Sequence, residues 1–263
     1  MQGGERAPAA ATAKQHSLLS RAHFKEVARD GKEAQRRYIE SALKLGETVI
    51  DRTPGKLAGV LYAPDKEELS RAIRGVLKPK HESADKILGH IEEYPQWIGV
   101  VAPGFWAMGA RQFIVISEAV FGSLSHFRSM PEMLALLGHE NRHVLDAHDG
   151  IRYGKEKVRG SYNYSTKFFK SLVEMRAYGE ELELVRSRGL KVSMLHWSVT
   201  LHCFKENADS LKASVENEPA ALPPCAPEAA TVLELQTKET QSLTWKRDYD
   251  FYNKLIEKAS RNG

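Results

Sequence analysis

Residues 129–150 read SMPEMLALLGHENRHVLDAHDG, and at their centre lies the pattern His-Glu-x-x-His formed by His139, Glu140 and His143. On an α-helix, two histidines four residues apart lie on the same face, one turn above the other. Their imidazoles can then bind one zinc ion, and the glutamate beside the first histidine can reach a water on that ion. The stretch therefore predicts a helix that carries two metal ligands and a general base.

The residues that flank this pattern favour a helix over the whole stretch. Ser129 followed by Glu132 has the form of a capping box, and Pro131 falls in the first turn, where a missing N–H is tolerated. Gly150 is typical of a helix end. Apolar residues on both sides of the pattern predict a largely buried helix: Met133, Leu134, Leu136, Leu137, Val144 and Leu145.

The composition is that of an ordinary globular chain. Its 263 residues suffice for one large domain or two subdomains that share a core, and 42% of them are hydrophobic and 27% charged. Because 38 basic residues are interspersed with 34 acidic ones, the net charge of +4 predicts neither a nucleic-acid surface nor a membrane surface. Cys203 and Cys225 are too far apart for a zinc knuckle and form either one disulfide or two free thiols.

The N-terminal segment MQGGERAPAAATAKQHSLLSR lacks the apolar region of a signal peptide. No stretch of the sequence reaches the roughly 18 apolar residues of a membrane helix. We therefore expect a cytoplasmic protein, with leaderless export or removal of a leader as the alternatives. Residues 1–13 are rich in Gly, Ala and Pro and are predicted to be disordered.

The order of the predicted elements indicates an α+β protein that is mainly helical. Short β-branched runs at 97–101 and 112–117 predict two antiparallel strands shortly before the helix at 129–150. We expect residues 14–263 to form a single domain with its core at about 97–190. Further helices are predicted at 14–50, with a break at Asp30-Gly31, and at 65–77, 87–91, 167–188 and 191–217. A polar loop is predicted at 151–166 and a Pro/Ala-rich loop at 218–230. A C-terminal packing helix is predicted at 236–260.

Two histidines leave a zinc site incomplete, because a catalytic zinc ion has three protein ligands and an open position for water. The predicted helix at 167–188 contains Glu174, which lies 31 residues beyond His143. If the two helices pack side by side, the Glu174 carboxylate can point at the histidine pair, and the small Ala177 lets the helices approach. Tyr178 and Glu181 share this face of the helix.

A strand, a hydrophobic helix with Leu-Leu-Gly-His-Glu-x-x-His at 136–143 and a later helix with Glu-x-x-Ala at 174–177 resemble the gluzincin class of zinc metallopeptidases. Over about residues 97–190 the chain is most similar to small soluble minigluzincins and to relatives of the CaaX-type proteases. The resemblance implies a zincin-like fold with a short sheet beside the active-site helix. It also implies that His139, His143 and Glu174 bind Zn²⁺ and that Glu140 is the catalytic base. Some relatives carry an aspartate where this chain has Tyr178.

Asp149 is an alternative third ligand. In metzincins the pattern continues as His-Glu-x-x-His-x-x-Gly-x-x-His, occasionally with aspartate in the last place. Asp149 occupies that last place, but Asp146 stands where the sharp turn of a metzincin requires glycine. Asp146 lies one turn beyond His143, where it acts either as an acceptor that orients the imidazole or as a solvated charge.

These residues predict metal-assisted hydrolysis of a peptide bond in a peptide or protein substrate. Glu140 would move the proton of the attacking water to the leaving amine, and Tyr178, Tyr164 or His148 is the candidate donor to the oxyanion. An extended substrate is expected to pair with the strand Phe113–Ser117 as an edge strand. The competing hypotheses are a catalytically silent zinc-binding interaction protein and a zinc hydrolase that acts on a non-peptide bond.

Overall fold

A computed structural model describes residues 20–46, 53–77, 84–93, 98–123, 125–153, 156–158 and 167–217. This part of the chain is mainly helical with a small sheet, which confirms the predicted α+β class. Its helices are α1 (Arg21–Asp30), α2 (Lys32–Leu45), α3 (Lys66–Val76), α4 (Ala84–Glu93), α5 (Met130–Asp149), α6 (Lys167–Ser187) and α7 (Met194–Asn217). Its strands are β1 (Leu57–Tyr62), β2 (Gly99–Ala102), β3 (Gln112–Ile116), β4 (Ile151–Tyr153) and β5 (Glu156–Val158).

Three strands form a mixed sheet in the order β1-β3-β2. β2 and β3 pair in antiparallel register with Val100 opposite Val115, which confirms the antiparallel prediction. β1 pairs with β3 in parallel, and the sequence pattern did not predict it because Gly59 interrupts its short apolar run. β3 is thus the middle strand, so the prediction that Phe113–Ser117 offers a free edge is wrong. Within the described residues, the edges of this sheet are β1 and β2.

Different helices cover the two faces of the sheet. Side chains alternate between the faces of a strand, so Ile114 and Ile116 pack with α1, α2 and α5, while Val115 packs with α3 and α4. A further apolar cluster joins α6 and α7 to the second half of α5, and it includes Ala147 and Leu172. α5 therefore lies between the sheet and the α6–α7 pair, and it is largely buried, as its sequence predicts.

α5 begins and ends where the sequence predicts. Ser129 is the N-cap residue, but its side chain makes no capping hydrogen bond to a described residue. Glu132 is fully buried and accepts hydrogen bonds from the backbone N–H groups of Arg128 and, at 2.8 Å, Ser193, and not from that of Ser129. The predicted capping box therefore does not form, although the helix begins at the predicted position. Gly150 ends the helix with φ 74°, a conformation that favours glycine.

The segment after α5 departs from its prediction. β4 and β5 pair in antiparallel register, with Ile151 opposite Val158, where the sequence predicts only a polar loop. The prediction is wrong there because three-residue strands are too short to show an alternating pattern of apolar residues. α6 agrees with its prediction and ends just before Gly189, whose φ of 60° terminates the helix.

Several predictions concern residues that lie outside the described part of the chain. They are the disordered segment 1–13, the loop 218–230, the packing helix 236–260, the candidate oxyanion donor Tyr164 and the pairing of Cys225. Among the helices that are described, none combines the length and the apolar character needed to cross a membrane.

Candidate metal centre

His139, His143 and Glu174 converge at one point between α5 and α6. The Nε2 atoms of the two histidines lie 3.2 Å apart. The Glu174 carboxylate faces both rings, with one oxygen 3.7 Å from Nε2 of His139 and the other 3.6 Å from Nε2 of His143. The predicted side-by-side arrangement of the two helices therefore forms, and it brings together the three side chains that the sequence singled out.

The separations among these atoms fit a shared metal ion. Two ligand atoms that each lie about 2.0–2.1 Å from a tetrahedral zinc ion are about 3.3 Å apart. The Nε2–Nε2 separation of 3.2 Å is close to that value, and each Glu174 oxygen lies 3.6 or 3.7 Å from one of these nitrogens. Two imidazole nitrogens and one carboxylate oxygen are also a donor set that zinc prefers. Among the described residues, no other three His, Cys, Asp or Glu side chains have ligand atoms that all lie within 4.8 Å of one another.

The two histidines have opposite electrostatic environments. Burial lowers the pKa of His143 to about 4, against the attraction of Glu174. Burial also disfavours the charged form of His139, but its hydrogen bond to Glu181 and the neighbouring carboxylates outweigh this effect and raise its pKa to about 9. Glu140, Glu174 and Glu181 thus place three carboxylates around two imidazoles, an arrangement that attracts a cation.

Glu181 holds the ring of His139 from the side opposite the cluster. Its Oε2 lies 3.1 Å from Nδ1 of His139, and its side chain is only 3% exposed. An ionised carboxylate can only accept, so Nδ1 carries a hydrogen, and Nε2 is the nitrogen that can bind a metal once its own proton is displaced. Burial would raise the pKa of Glu181, but its contacts with His139 and His196 hold it far below the ordinary range. Carboxylates in this position commonly fix the orientation of a ligand imidazole.

Glu140 lies next to the cluster with 4% of its surface exposed. Its Oε2 has no hydrogen-bond partner among the described residues, and burial raises its pKa to about 7. A buried carboxylate oxygen without a hydrogen-bond partner lowers the stability of the fold by about 1–3 kcal/mol or more. A water molecule between Glu140 and a bound metal ion would satisfy it. The orphaned oxygen therefore suits a general base that acts on such a water.

The side chain of Glu140 packs against the backbone of Gly99 in β2. A Cβ atom added at Gly99 would lie 2.8 Å from the carboxyl carbon of Glu140, closer than real Cβ atoms approach other groups. The edge strand can therefore contact the base only because position 99 carries no side chain. The two residues are 41 positions apart, so no local pattern in the sequence indicates this contact.

Asp146 connects α5 to α6 through two arginines. Its fully buried carboxylate accepts hydrogen bonds from Arg142 and, at 2.8 Å, from Nε of Arg176. Burial opposes ionisation, but the two guanidinium groups hold the pKa of Asp146 below its ordinary value. We call this cluster of Arg142, Asp146 and Arg176 the α5–α6 clamp. It corrects both predictions for Asp146, which is neither solvated nor, within the described residues, hydrogen-bonded to His143.

Tyr178 lies at the cluster, as its helical spacing from Glu174 predicts. Its ring packs edge-on against the imidazole of His139 with centroids 4.5 Å apart. Its hydroxyl pairs with the thiol of Cys203 on α7, and burial raises its pKa far above the ordinary range. Tyr178 thus packs against the ring of His139, while Glu181 contacts Nδ1 of the same ring.

His148 and Asp149 belong to a separate cluster at the end of α5. Nδ1 of His148 lies 2.7 Å from one Asp149 oxygen, and Nζ of Lys56 lies 2.5 Å from the other. Because α5 continues as a helix through Asp146 to Asp149, the sharp turn of a metzincin does not form. Within the described residues, Asp149 therefore pairs with Lys56 and His148, and Glu174 is the carboxylate grouped with His139 and His143.

A cavity of about 660 Å³ lies beside β2, on the face of the sheet that α3 and α4 cover. Its apolar lining includes Leu69, Leu88 and Val100, and Gly99 is at its border. Glu140 approaches Gly99 from α5, which packs on the opposite face. The cavity is therefore separated from the base by the backbone of the edge strand.

Sequence reasoning placed Glu181 on the correct face of α6 but assigned it no role, and it missed Gly99, Arg176 and His196. Glu181 lies seven residues after Glu174, so the two-turn spacing on one helix face was the available signal. The other three contacts join different elements and have no counterpart in local spacing.

Comparisons of the chain with protein-family models, with curated proteins and with solved structures returned no match. The function has therefore to be inferred from the geometry of these side chains.

Proposed function

We propose that the protein is a zinc-dependent metallopeptidase of the gluzincin type, with a zincin-like arrangement of sheet and active-site helix. The observation that supports this most strongly is the convergence of His139, His143 and Glu174 beside the unpartnered carboxylate oxygen of Glu140. Structural zinc sites are closed by four protein ligands, whereas catalytic sites use three and leave one position open. Three ligands with a buried base beside them favour hydrolysis.

His139, His143 and Glu174 would hold the zinc ion, which when bound lowers the pKa of a coordinated water to about 7 and polarises a carbonyl group. Glu140 accepts a proton from the attacking water while the water oxygen bonds to the carbonyl carbon. It then delivers this proton to the amide nitrogen as the C–N bond breaks, so that the products are an acid and an amine. Glu181 keeps Nδ1 of His139 protonated and thereby fixes the orientation of the ring.

The structure favours an extended peptide as the substrate class. β2 is an edge strand within the described part of the chain, and its backbone at Gly99 contacts Glu140. An extended peptide can pair with such an edge through main-chain hydrogen bonds. Its side chains would alternate between the α5 face and the face that carries the cavity lined by Leu88 and Val100. The proposed substrate strand is therefore β2, in place of β3.

Zinc content and Glu140-dependent cleavage together test this function. The purified full chain should contain about one zinc ion and should cleave members of a mixed peptide library, with products identified by mass spectrometry. Glu140→Gln keeps the side-chain shape but removes the base, so we expect unchanged zinc content and a rate that falls by at least about 10²-fold. Glu183→Gln, at an exposed position of α6, is the matched control and should cleave like the unmodified protein.

Stoichiometric zinc without Glu140-dependent peptide cleavage would refute the peptidase. Ester and phosphoester substrates would then separate the two competing functions. Turnover of such a substrate would indicate a hydrolase of a non-peptide bond, and no turnover would indicate a silent zinc-binding interaction protein.

A further inference from the structure

Glu181, on α6, contacts side chains of two other helices, α5 and α7. While its Oε2 faces Nδ1 of His139, its Oε1 lies 3.1 Å from the Thr200 hydroxyl and 3.0 Å from Nε2 of His196. His196 and Thr200 are one turn apart on α7 and so present both groups on one face. The carboxylate is thus fixed at both oxygens by side chains from two helices.

His196 is placed for this contact by its surroundings. Its side chain is fully buried, and the rings of His126 and Phe127 pack against it at centroid distances of 5.2 Å each. Burial lowers the pKa of His126 to about 4, so His126 packs as a neutral ring. The segment that leads into α5 therefore holds His196, which in turn contacts Glu181 on α6.

The Glu181 carboxylate needs donors on both oxygens because it is ionised and almost fully buried. Nε2 of His196 lies within ion-pair distance of Oε1, but this contact does not meet the geometry of a hydrogen bond. Without His196, Thr200 alone would hold Oε1, and the carboxylate could rotate away from His139. The ring of His139 would then lose the partner that aims Nε2 at His143 and Glu174.

We propose that His196 is a positioning residue of the metal centre, which acts through Glu181 to orient His139 and to raise the affinity for the metal. This role extends the site from α5 and α6 to a third helix, α7. It rests on the proposed function only in the premise that His139 is a zinc ligand, since peptide cleavage is not required for it.

Zinc affinity of the full-length metal-free protein, measured by competition with a chromophoric chelator, tests this role. Loss of the group that hydrogen-bonds a metal ligand typically weakens metal binding by 10–100-fold. His196 acts one contact further out, through Glu181, so we expect the lower end of this range, about tenfold, for His196→Leu. His196→Gln retains an N–H donor at a similar reach and should bind within about threefold of the unmodified protein. The visible absorption of the cobalt-substituted protein should change for His196→Leu and not for His196→Gln.

Two controls separate positioning from general packing. His202→Leu changes an exposed histidine of the same helix and should leave zinc affinity unchanged. Thermal unfolding of the metal-free variants reports the structural effect alone. If His196→Leu does not fold, Thr200→Val removes the hydroxyl that donates to Oε1 and should weaken zinc binding in the same direction.

Unchanged zinc affinity in a folded His196→Leu or, failing that, Thr200→Val protein would overturn the proposal, even if thermal stability falls. So would a His196→Gln protein as weak in zinc binding as His196→Leu. Zinc binding without peptide cleavage would refute the peptidase and leave the role of His196 intact. Absence of zinc binding in the unmodified protein would overturn both.

Discussion

Gly99 and Glu140 are distant in the chain and in contact in the structure, where the carboxylate occupies the space of a missing side chain. We predict that Gly99→Ala displaces Glu140, because the added methyl group would lie 2.8 Å from the carboxyl carbon. When a catalytic group moves by about 1 Å, the reaction rate can fall roughly 10²-fold. Peptide cleavage should therefore fall by about this factor, while zinc content, measured in parallel, should stay at the level of the unmodified protein.

Gly75→Ala is the matched control for this substitution. Gly75 lies within α3, and a Cβ atom there would meet no atom within 4 Å. Alanine is a better helix former than glycine, so this variant should keep full activity and gain about 0.5–1 kcal/mol in the free energy of unfolding. Full activity of Gly99→Ala would show that the contact with β2 does not position the base.

At the scale of the elements, the α5–α6 clamp sets how the two metal-binding helices pack. Arg176 lies two residues after Glu174, so its hydrogen bonds to Asp146 fix the register at which Glu174 meets the histidine pair. We predict that Asp146→Asn lowers the free energy of unfolding by about 3 kcal/mol, because it leaves two guanidinium groups without their buried partner. Urea denaturation of the metal-free proteins at neutral pH measures this difference. Asp85→Asn, in an exposed pair with Arg74, should change stability by only about 0.5 kcal/mol.

The same clamp should also appear in the pH dependence of stability. The two arginines depress the pKa of Asp146 in the folded state, so its contribution is present above the unfolded value of about 3.9. It is lost as the pH falls through the folded pKa and Asp146 becomes protonated. The stability difference between the unmodified protein and Asp146→Asn should therefore shrink below about pH 4. A difference that stays constant with pH would contradict an ionised Asp146.

At the scale of the whole molecule, a bound metal would join α5 to α6 and, through Glu181, to α7. A ligand that binds only the folded state stabilises it by about 2.7 kcal/mol at 100 times its Kd. We predict that zinc at this excess raises Tm by roughly 5–10 °C and that a chelator reverses the rise, as followed by calorimetry. Glu174→Ala should remove most of the effect, because it deletes one of three ligands.

Two variants serve as controls for the zinc-induced rise in Tm. Glu183→Ala removes an exposed carboxylate from the same helix, and Asp149→Ala removes the carboxylate that pairs with Lys56 and His148. Both should keep the full rise. Loss of the rise in Asp149→Ala but not in Glu174→Ala would reverse the assignment of the third ligand.

Residue spacing within single helices and strands determined a large part of the secondary structure and the placement of three site residues. The bounds of α5, the shared face of His139 and His143, and the position of Glu140 between them follow from helical periodicity and from the end signals at Ser129 and Gly150. The antiparallel pair of β2 and β3 follows in the same way from short β-branched runs. These features depend on residues within a few turns of each other, and sequence spacing reports such relations directly.

Only the tertiary structure decided the rest. Glu174 instead of Asp149 faces the histidines because α5 stays helical through Asp149 and because the clamp packs α6 against α5. Tertiary packing also places β3 between β1 and β2. It brings Gly99 to Glu140 and His196 to Glu181, which are distant in the sequence. Such contacts are set by how whole elements pack in three dimensions, and the spacing of residues along one element contains no information about them.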